Sequence, residues 1–346
     1  MKVAVIDLFC GMGGFSQGAI EAGAKVVLAV DLWDEALKVH AKNHPDTPIK
    51  RMTLGEKYHF SLFKSEVDKW RKLGYHVHIH GSPPCQALSN ASSRNPEEGM
   101  PLVIWFLDCV KFADPDSWSM ENVVPVRKRL PEGTPSVILN SADFGVAQTR
   151  RRCFAGEGWV ANPSHTKDEW LGVIDVLPHL NGLMDSGRAD AKTTGINPKT
   201  GKKEEGSGPL FRELDNPSYT IMTSPRKLVV NTDGCGSSNS RRANSVDSDI
   251  DKPMKTLRNN EPSIRELIKI NGLKLEALGS NANRKNDKEI SKPEKIRSLT
   301  IQETLILQGF SSDYDMTVAN TQKARWTMIG NAVVPAVAKA VIEGIQ

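Results

Sequence analysis

A cysteine that follows two prolines is the residue of this sequence best suited to covalent chemistry. Pro83 and Pro84 precede Cys85, and a run of alternating side chains ends just before them at His80. Prolines restrict the backbone, so this order predicts a thiol presented on a rigid turn after a β-strand. A buried cysteine such as Cys109 is usually a small apolar residue, whereas α/β proteins bind ligands at the carboxyl ends of strands. Cys85 is therefore the candidate nucleophile, acting as the thiolate.

A carboxyl group and a set of basic side chains offer acid chemistry and charge neutralisation. Glu121 begins the sequence Glu-Asn-Val at the predicted end of another strand. A carboxyl group shielded from water has a raised pKa and can hold a proton near neutral pH; an acid at a helix N-terminus is the alternative. Gln148, Arg150 and Arg152 alternate, so in an extended segment they share a face that suits a carbonyl oxygen and phosphates. A solvated basic turn is the alternative for this segment.

A glycine-rich turn after the first predicted strand indicates a nucleotide-like ligand. Gly11, Gly13 and Gly14 let backbone N–H groups approach a ligand without obstruction by Cβ atoms. Asp31 ends the second predicted strand, at a spacing that suits hydrogen bonds to ribose hydroxyls. These residues predict an adenosine-type cofactor on a Rossmann-like sheet, with a tight turn that binds nothing as the alternative. A dinucleotide is disfavoured because the pattern GxGxxG is absent.

The elements that position these residues alternate between strands and helices. Strands are predicted at 3–9, 25–31, 76–80, 118–123 and 136–140, and helices at 15–22, 34–42, 102–112, 301–308 and 336–345. This order predicts an α/β fold with a mostly parallel sheet covered by helices on both faces.

The local composition and the charge distribution of the chain predict a second, smaller domain. After about Pro163 the sequence becomes rich in small and polar residues. Residues 188–295 contain 21 basic and 15 acidic residues, a net charge of +6, whereas the remainder has 24 basic and 26 acidic residues, a net charge of −2. We expect a catalytic domain of 1–160 plus 296–346 and a loop-rich domain of 161–295 that meets phosphates, although a solvated basic surface would carry the same charge.

The cysteines and the hydropathy restrict the cellular setting. The five cysteines are widely spaced without a CxxC pair, so neither a disulfide framework nor a metal site is expected. The sequence has no run of 18 apolar residues and no pattern of a signal peptide. We therefore expect a cytoplasmic protein with reduced thiols and no membrane association.

Six motifs, in this order, resemble those of the DNA (cytosine-5-)-methyltransferase family. They are Asp7-Leu8-Phe9-Cys10-Gly11-Met12-Gly13-Gly14-Phe15-Ser16, Gly81-Ser82-Pro83-Pro84-Cys85-Gln86, Glu121-Asn122-Val123, Gln148-Thr149-Arg150-Arg151-Arg152, the segment from Arg297 to Phe310, and Gly330-Asn331-Ala332-Val333-Val334-Pro335. The matches span nearly the whole chain except about 160–295, where this family has its target-recognition domain. Three features depart from the family pattern: the third motif is not recognisable in 50–65, so its acid is not assigned, Leu88 replaces an aromatic residue, and Ala147 replaces a proline.

The resemblance implies a mechanism and a set of site residues. Cys85 would attack C6 of a flipped-out cytosine so that C5 accepts a methyl group from S-adenosyl-L-methionine, while residues 87–100 close over the DNA. Glu121, protonated, would contact N3 and the exocyclic amine, and Arg152 would lie near O2, with Arg150 as a further catalytic residue. The implied cofactor-binding residues are Phe9, Gly11, Met12, Gly13, Asp31, Leu32, Pro84, Leu102, Asn331 and Val333.

The resemblance also implies binding partners, and other functions remain as alternatives. We expect a monomeric, stand-alone enzyme of prokaryotic or viral type that acts on double-stranded DNA. The sequence is compatible with a cognate restriction endonuclease in the same system and does not decide between its presence and an orphan enzyme. A tRNA cytosine-C5 methyltransferase is the second reading, which the long basic insert disfavours. A DNA-binding relative without catalysis is the third, opposed by the presence of Cys85, Glu121 and Arg152 together. A nicotinamide-dependent oxidoreductase is the most distant reading.

Overall fold

The structure is a computed structural model that describes residues 1–84, 95–180, 184–185, 193–196, 203–206, 212–221, 223, 227–229 and 295–346. The helices are α1 Gly14–Glu21, α2 Asp34–Asn43, α3 His59–Lys72, α4 Met100–Ala113, α5 Val173–Val176, α6 Ile301–Leu307, α7 Gln322–Asn331 and α8 Pro335–Glu343. The strands are β1 Val3–Leu8, β2 Lys25–Asp31, β3 Ile49–Arg51, β4 His76–Gly81, β5 Ser117–Val123, β6 Ser136–Asn140, β7 Gln148–Thr149, β8 Arg151–Glu157, β9 Met184–Asp185, β10 Thr193–Ile196, β11 Lys203–Gly206, β12 Arg212–Glu213, β13 Ser218–Tyr219, β14 Lys227–Val229 and β15 Lys295–Ser298.

Seven of the described strands form one sheet in the order β3-β2-β1-β4-β5-β8-β6. The pairs β2–β3, β1–β2, β1–β4 and β4–β5 are parallel, whereas β8 runs antiparallel to both β5 and β6. The mostly parallel α/β sheet predicted from the sequence is therefore confirmed. The insertion of β8 between β5 and β6 was not predicted.

The sheet is buried on both faces because its central strand is apolar at successive positions. Ile6 and Leu8 of β1 belong to a core cluster with residues of α3 and α4, such as Phe63 and Phe106. Val5, which points to the other face, belongs to a second cluster with residues of α1 and α8. A strand covered on both faces reads as a continuous apolar run, as the first strand of this sequence does.

The chain divides into two compact units. The first contains residues 1–171, 220–224 and 301–346, and the second contains residues 172–219 and 225–300. The first unit therefore extends to Leu171, beyond the boundary at 160 expected from the sequence, and it includes a short segment at 220–224. Both ends of the chain belong to it: Trp159 bridges to Ile345, and the Val160 N–H donates to the Gly344 carbonyl oxygen at 2.9 Å.

The second unit is built from short antiparallel strands in its described part. Strands β12, β9, β14 and β15 form a sheet in that order, and β10 pairs with β11. Its recognition of DNA stays a prediction. Among the residues that the structure describes, no helix has the length and apolar content needed to cross a bilayer.

Candidate active site

The candidate site lies at one edge of the large sheet. Because β2, β1, β4 and β5 are parallel neighbours, their carboxyl ends lie along the same edge, which we call the carboxyl edge. Asp31 ends β2, Pro83 and Pro84 follow β4, and Glu121 lies near the end of β5. The glycine turn follows β1 at the same edge. The fold therefore gathers the segments that the sequence analysis singled out.

The turn after β1 adopts backbone conformations that favour glycine. The φ angle is +53° at Gly11 and +98° at Gly13, and Phe9 also has a positive φ of 58°. No heavy atom lies within 4 Å of the position that a Cβ on Gly11 would take. The turn thus exposes its backbone to open space beside Gly11, as the approach of a ligand requires.

Asp31 holds this turn against the end of β2. The Gly11 N–H donates to Asp31 Oδ2 and the Trp33 N–H donates to Asp31 Oδ1, each at 2.8 Å. The side chain of Leu32, between them in sequence, is 53% exposed. A fixed carboxylate therefore lies beside Gly11, and the residue that follows it in sequence exposes an apolar side chain.

The other residues predicted to bind the cofactor differ in exposure. Phe9 packs edge-on against Trp105, with ring centroids 6.0 Å apart, and Met12 is buried while its carbonyl oxygen accepts from the Tyr314 hydroxyl. Leu102 is half-buried, Val333 is buried, and Pro84 and Asn331 are exposed. The side chain of Met12 therefore belongs to the core, and its carbonyl oxygen is occupied by Tyr314. The contact of these residues with a cofactor stays a prediction.

The segment after β3 is where the resemblance predicts the acid of the third motif. Arg51 ends β3, and its Nε donates to the carbonyl oxygen of Leu32 at 3.3 Å. The first acid beyond it is Glu56, and Leu54 between them is buried. A guanidinium group thus lies beside Leu32.

A chain of buried, hydrogen-bonded side chains lies next to the glycine turn. Ser16 donates to Asp7 Oδ2 at 2.6 Å, and His40 Nε2 lies 3.0 Å from the Ser16 oxygen. Burial raises the pKa of Asp7 to about 7, with a hydrogen bond from Ser16 opposing this rise, and burial lowers the pKa of His40 to about 3. Sequence reasoning missed Ser16 and His40 as supports, because 24 residues separate them.

The glycines of α1 bring the two ends of the chain together. A Cβ on Gly14 would overlap the carbonyl oxygen of Val333, and a Cβ on Gly18 would overlap the carbonyl oxygen of Pro335. Helix α1 can therefore approach the turn before α8 only because these positions lack side chains. This contact places Val333 directly behind the glycine turn.

Glu121 and Arg152 form a buried ion pair at the carboxyl edge. Arg152 Nε lies 3.0 Å from Glu121 Oε1, with side-chain exposures of 17% and 9%. Burial raises the pKa of Glu121, although the charge of Arg152 opposes this rise. A carboxyl group with a raised pKa can hold a proton and donate it to a hydrogen bond. Both residues line a small cleft together with Leu139, Ser141, Arg150, Phe154, Val333, Val334 and Val337.

Asn122 connects this ion pair to the turn that carries the candidate nucleophile. Its Nδ2 donates to the Pro83 carbonyl oxygen at 3.1 Å, and its Oδ1 accepts from the Val123 N–H at 2.9 Å. Asn122 is buried, so its amide is shielded from competing water. The ends of β4 and β5 are thereby fixed to each other next to Glu121.

The side chains of Gln148 and Arg150 bind buried backbone and amide groups, and Arg150 lines the same cleft as Arg152. Arg150 is 2% exposed, and its guanidinium donates to the carbonyl oxygens of Ile221, Gly330 and Ala332 at 3.1, 2.9 and 3.2 Å. Gln148 is also buried and donates to the Leu307 carbonyl oxygen and Gln308 Oε1. Arg150 lies between β7 and β8, so the segment is not the single extended strand that the sequence suggested. These two side chains are placed on backbone and amide groups rather than facing phosphates.

Cys85 and most of the predicted lid, residues 87–94, lie outside the described residues. The three described cysteines are buried, and burial raises the pKa of each thiol: well above the ordinary value for Cys10, to about 12 for Cys109 and to about 11 for Cys153. None of these three is prepared to act as a thiolate near neutral pH. They do not compete with Cys85 for the role of nucleophile.

Comparisons with known proteins identify the family of this chain. The sequence matches the C-5 cytosine-specific DNA methylase family over residues 3–130 and 133–346. It is 26% identical to Type II methyltransferase M1.HphI of Haemophilus parahaemolyticus, covering 100% of this chain and 87% of the relative. It is 25% identical to Type II methyltransferase M.MthTI of Methanothermobacter thermautotrophicus, covering 96% and 94%.

Among solved structures, the fold is similar to that of a DNMT2 mutant from Spodoptera frugiperda. The TM-score is 0.56 at 15% sequence identity, covering 98% of each chain. The family match spans almost the entire sequence, and enzymes of this family take their methyl group from S-adenosyl-L-methionine. The chain belongs to the C-5 cytosine-specific DNA methylase family.

Proposed function

We propose that this enzyme methylates C5 of a cytosine flipped out of a specific duplex DNA sequence, through a covalent bond between Cys85 and C6. The observation that carries the proposal is the buried pair of Glu121 and Arg152, which Asn122 joins to Pro83, two residues before Cys85. The relatives described above are named Type II methyltransferases, so we also propose a role in modifying the target of a restriction endonuclease.

The chemistry of cytosine explains why this set of residues is needed. C5 is a weak nucleophile, and addition of the Cys85 sulfur to C6 makes C5 enamine-like. Negative charge then develops on the ring, where Glu121 as a proton donor at N3 and Arg152 at O2 neutralise it. Fixed groups that meet charge as it develops lower the barrier more than mobile water does. Because C5 lies inside the base stack of a duplex, the cytosine must leave the stack first.

The carboxyl edge fits S-adenosyl-L-methionine. When bound, this group supplies an electrophilic methyl. Open space beside Gly11, the fixed carboxylate of Asp31 and the exposed side chain of Leu32 suit its methionine, ribose and adenine parts respectively. Gly13 and the backbone of Met12 complete the turn. Because Val333 packs behind Gly14, the segment before α8 would close the pocket together with Leu102.

We assign Arg150 a positioning role rather than contact with the substrate. Its guanidinium joins the segment at Ile221 to the carbonyl oxygens that precede and follow Asn331. Gln308 Nε2 donates to the Ala332 carbonyl oxygen at 3.0 Å and reinforces the same turn. A buried charge satisfied by several carbonyls fixes the backbone around it. The turn that carries Asn331 and Val333 is therefore held in place behind the cofactor pocket.

The proposal is tested by expressing the chain in a bacterial host that lacks cytosine methylation and sequencing its 5-methylcytosine. Methylation confined to one short DNA sequence is expected. The Cys85→Ser variant should leave the genome unmethylated, whereas Cys109→Ala, which removes a buried thiol of α4, should retain the pattern. An unmethylated genome with the folded parent enzyme, or methylation confined to tRNA, would refute the proposal.

A further inference from the structure

Histidines of β4 and serines of β5 form a continuous chain of hydrogen bonds inside the sheet. The chain consists of His76 Nε2–Ser117 Oγ (2.8 Å), Ser117 Oγ–His78 Nδ1 (2.8 Å), His78 Nε2–Ser119 Oγ (2.8 Å), Ser119 Oγ–His80 Nδ1 (2.8 Å) and His80 Nε2–Ser82 Oγ (2.9 Å). We call these six residues the histidine–serine relay. Its regularity follows from the parallel register, which places His78 beside Ser117 and His80 beside Ser119.

The two ends of the relay reach opposite edges of the sheet. Ser82 is half-buried and stands at the carboxyl edge, three residues before Cys85 in the sequence. His76 is half-buried at the start of β4, near Asp116 and Arg71. The relay therefore joins the candidate active site to solvent on the far side of the sheet.

The interior of the relay is shielded from water. His78, His80 and Ser119 are fully buried, and Phe15 stacks on the His80 ring with centroids 3.5 Å apart. Burial lowers the pKa of His78 to about 3 and that of His80 well below its ordinary value, so both rings are neutral. Protons can move along this route only from one side chain to the next.

Neutral groups in this arrangement give the relay a direction. A neutral imidazole has one N–H donor and one nitrogen acceptor, and a hydroxyl that bridges two rings donates to one and accepts from the other. When every bond is made, all the donors therefore point the same way along the chain. When one end of the relay takes up a proton and the other end releases a proton, every hydrogen bond of the chain exchanges its donor and its acceptor. The donors then all point the opposite way. A set of side chains that only filled the core would not need such continuity.

Resting on the proposed function, we propose that the histidine–serine relay carries the proton displaced from C5 of the methylated cytosine to solvent at His76. In this step the C5–H bond breaks and its electron pair restores the C5–C6 double bond. The C6–S bond breaks at the same time, and the sulfur of Cys85 leaves as the thiolate. Ser82 accepts the proton as its own proton passes to His80, and each relay member passes one proton on until His76 releases one. The relay returns to its first direction in the open site, when His76 takes a proton from solvent, each member passes one proton on, and Ser82 releases the proton that it received from C5 to water.

The proposal makes each bridging hydroxyl essential, whichever end of the chain it lies near. Ser119→Ala and Ser117→Ala each remove one hydroxyl and two hydrogen bonds from the relay. Val77→Ala is the matched control, since Val77 is a fully buried residue of β4 outside the relay. Its truncation disturbs the packing of the same strand and leaves the hydrogen-bond chain intact. Thermal denaturation and cofactor binding of each variant establish that it is folded.

The readouts are tritium release from duplex DNA carrying [5-³H]cytosine and the amount of denaturant-stable enzyme–DNA adduct during turnover. Both serine variants should release tritium more slowly by on the order of tenfold or more, and should accumulate adduct on ordinary cytosine DNA. Accumulated adduct whose base carries the new methyl group means that the methyl group has been transferred while the proton has not left, a result that lost stability alone cannot produce. The parent enzyme and Val77→Ala should release tritium rapidly without accumulating adduct.

Several results would overturn the relay. These are parental tritium release in both serine variants, slowing in Ser119→Ala but not in Ser117→Ala, or equal slowing in Val77→Ala. Failure of the proposed function is a separate result, since the parent enzyme would then form no adduct even with 5-fluorocytosine DNA. If the parent enzyme forms the adduct with 5-fluorocytosine DNA and Ser117→Ala and Ser119→Ala leave tritium release unchanged, the proposed function is supported and the relay is refuted.

Discussion

The buried carboxyl of Asp7 makes the stability of the protein depend on pH in a way that a single substitution can isolate. Asp7 is 1% exposed at the end of β1, and burial raises its pKa from 3.8 to about 7. An unfolded chain loses this proton near pH 4, whereas the folded protein holds it to about pH 7. The stability associated with Asp7 is therefore fully present below pH 4 and decreases until the pH passes 7.

The size of the effect follows from the two pKa values. Between pH 5 and pH 8 the unfolded carboxyl is largely ionised, while the folded carboxyl ionises only near the end of the interval. Linkage over this interval gives a loss of about 2.5 kcal/mol of unfolding free energy in the parent protein that the Asp7→Asn variant does not suffer. Asparagine keeps the size of the side chain and an oxygen that accepts from Ser16.

Urea unfolding of the parent and of Asp7→Asn at pH 5, 6, 7 and 8 measures this difference. Buried neutral histidines such as His40, His78 and His80 change stability in the opposite direction, because they lose their contribution as the pH falls below 6.5. They are present in both proteins, so the difference between the two curves reports Asp7. The variant should gain stability relative to the parent as the pH rises. Parallel curves would refute the assignment of a raised pKa to this buried carboxyl.

Three further substitutions test the site and its supports. Glu121→Gln should lower the methyl-transfer rate by on the order of 10²-fold in single-turnover assays, because a proton donor beside Arg152 is lost, whereas Glu157→Gln on the exposed end of β8 should not; equal rates would contradict the role of Glu121. Gly14→Ala should weaken binding of S-adenosyl-L-methionine by roughly tenfold or more in calorimetry, because the new Cβ displaces the Val333 carbonyl; unchanged affinity would show that this contact does not shape the pocket. Arg150→Met should lower the unfolding free energy by about 2–4 kcal/mol in urea titrations, since buried carbonyls lose their donor; a neutral effect would remove its positioning role.

The sequence predicted the sheet and the carboxyl edge because their signals are local. An apolar strand, a glycine turn and an acid at the next strand end sufficed to place Gly11 and Asp31 together, and the structure joins them by a hydrogen bond. Parallel strands bring their carboxyl ends to one edge whatever their distance along the chain. Glu121 was placed at that edge by the same reasoning.

The pairing of strands from distant parts of the chain could not be predicted in the same way. The ion pair of Glu121 with Arg152 depends on β8 running antiparallel beside β5. The partners of Arg150 could not be predicted from its own segment, because this segment is not one continuous strand: β7 ends at Thr149 and β8 begins at Arg151. The buried partners of Arg150 at Gly330 and Ala332 are 180 and 182 residues away.

The histidine–serine relay also depends on strand pairing that the sequence does not reveal. The alternation of His76, His78 and His80 is visible in the sequence, but it is equally typical of any half-exposed strand. Only the register of β4 against β5 brings the serines between the histidines. A one-residue shift would turn every serine to the other face of the sheet and break the chain.

The central claim is a covalent bond between Cys85 and a cytosine ring, and it is tested most directly with duplex DNA that carries 5-fluorocytosine at the methylated position. Because fluorine cannot leave C5 as a proton does, the adduct should persist after denaturation in the presence of S-adenosyl-L-methionine. Digestion and mass spectrometry should locate the modified base on Cys85, and Cys85→Ser should form no adduct. An active enzyme that gives no adduct, or one whose adduct maps to another residue, would contradict the account.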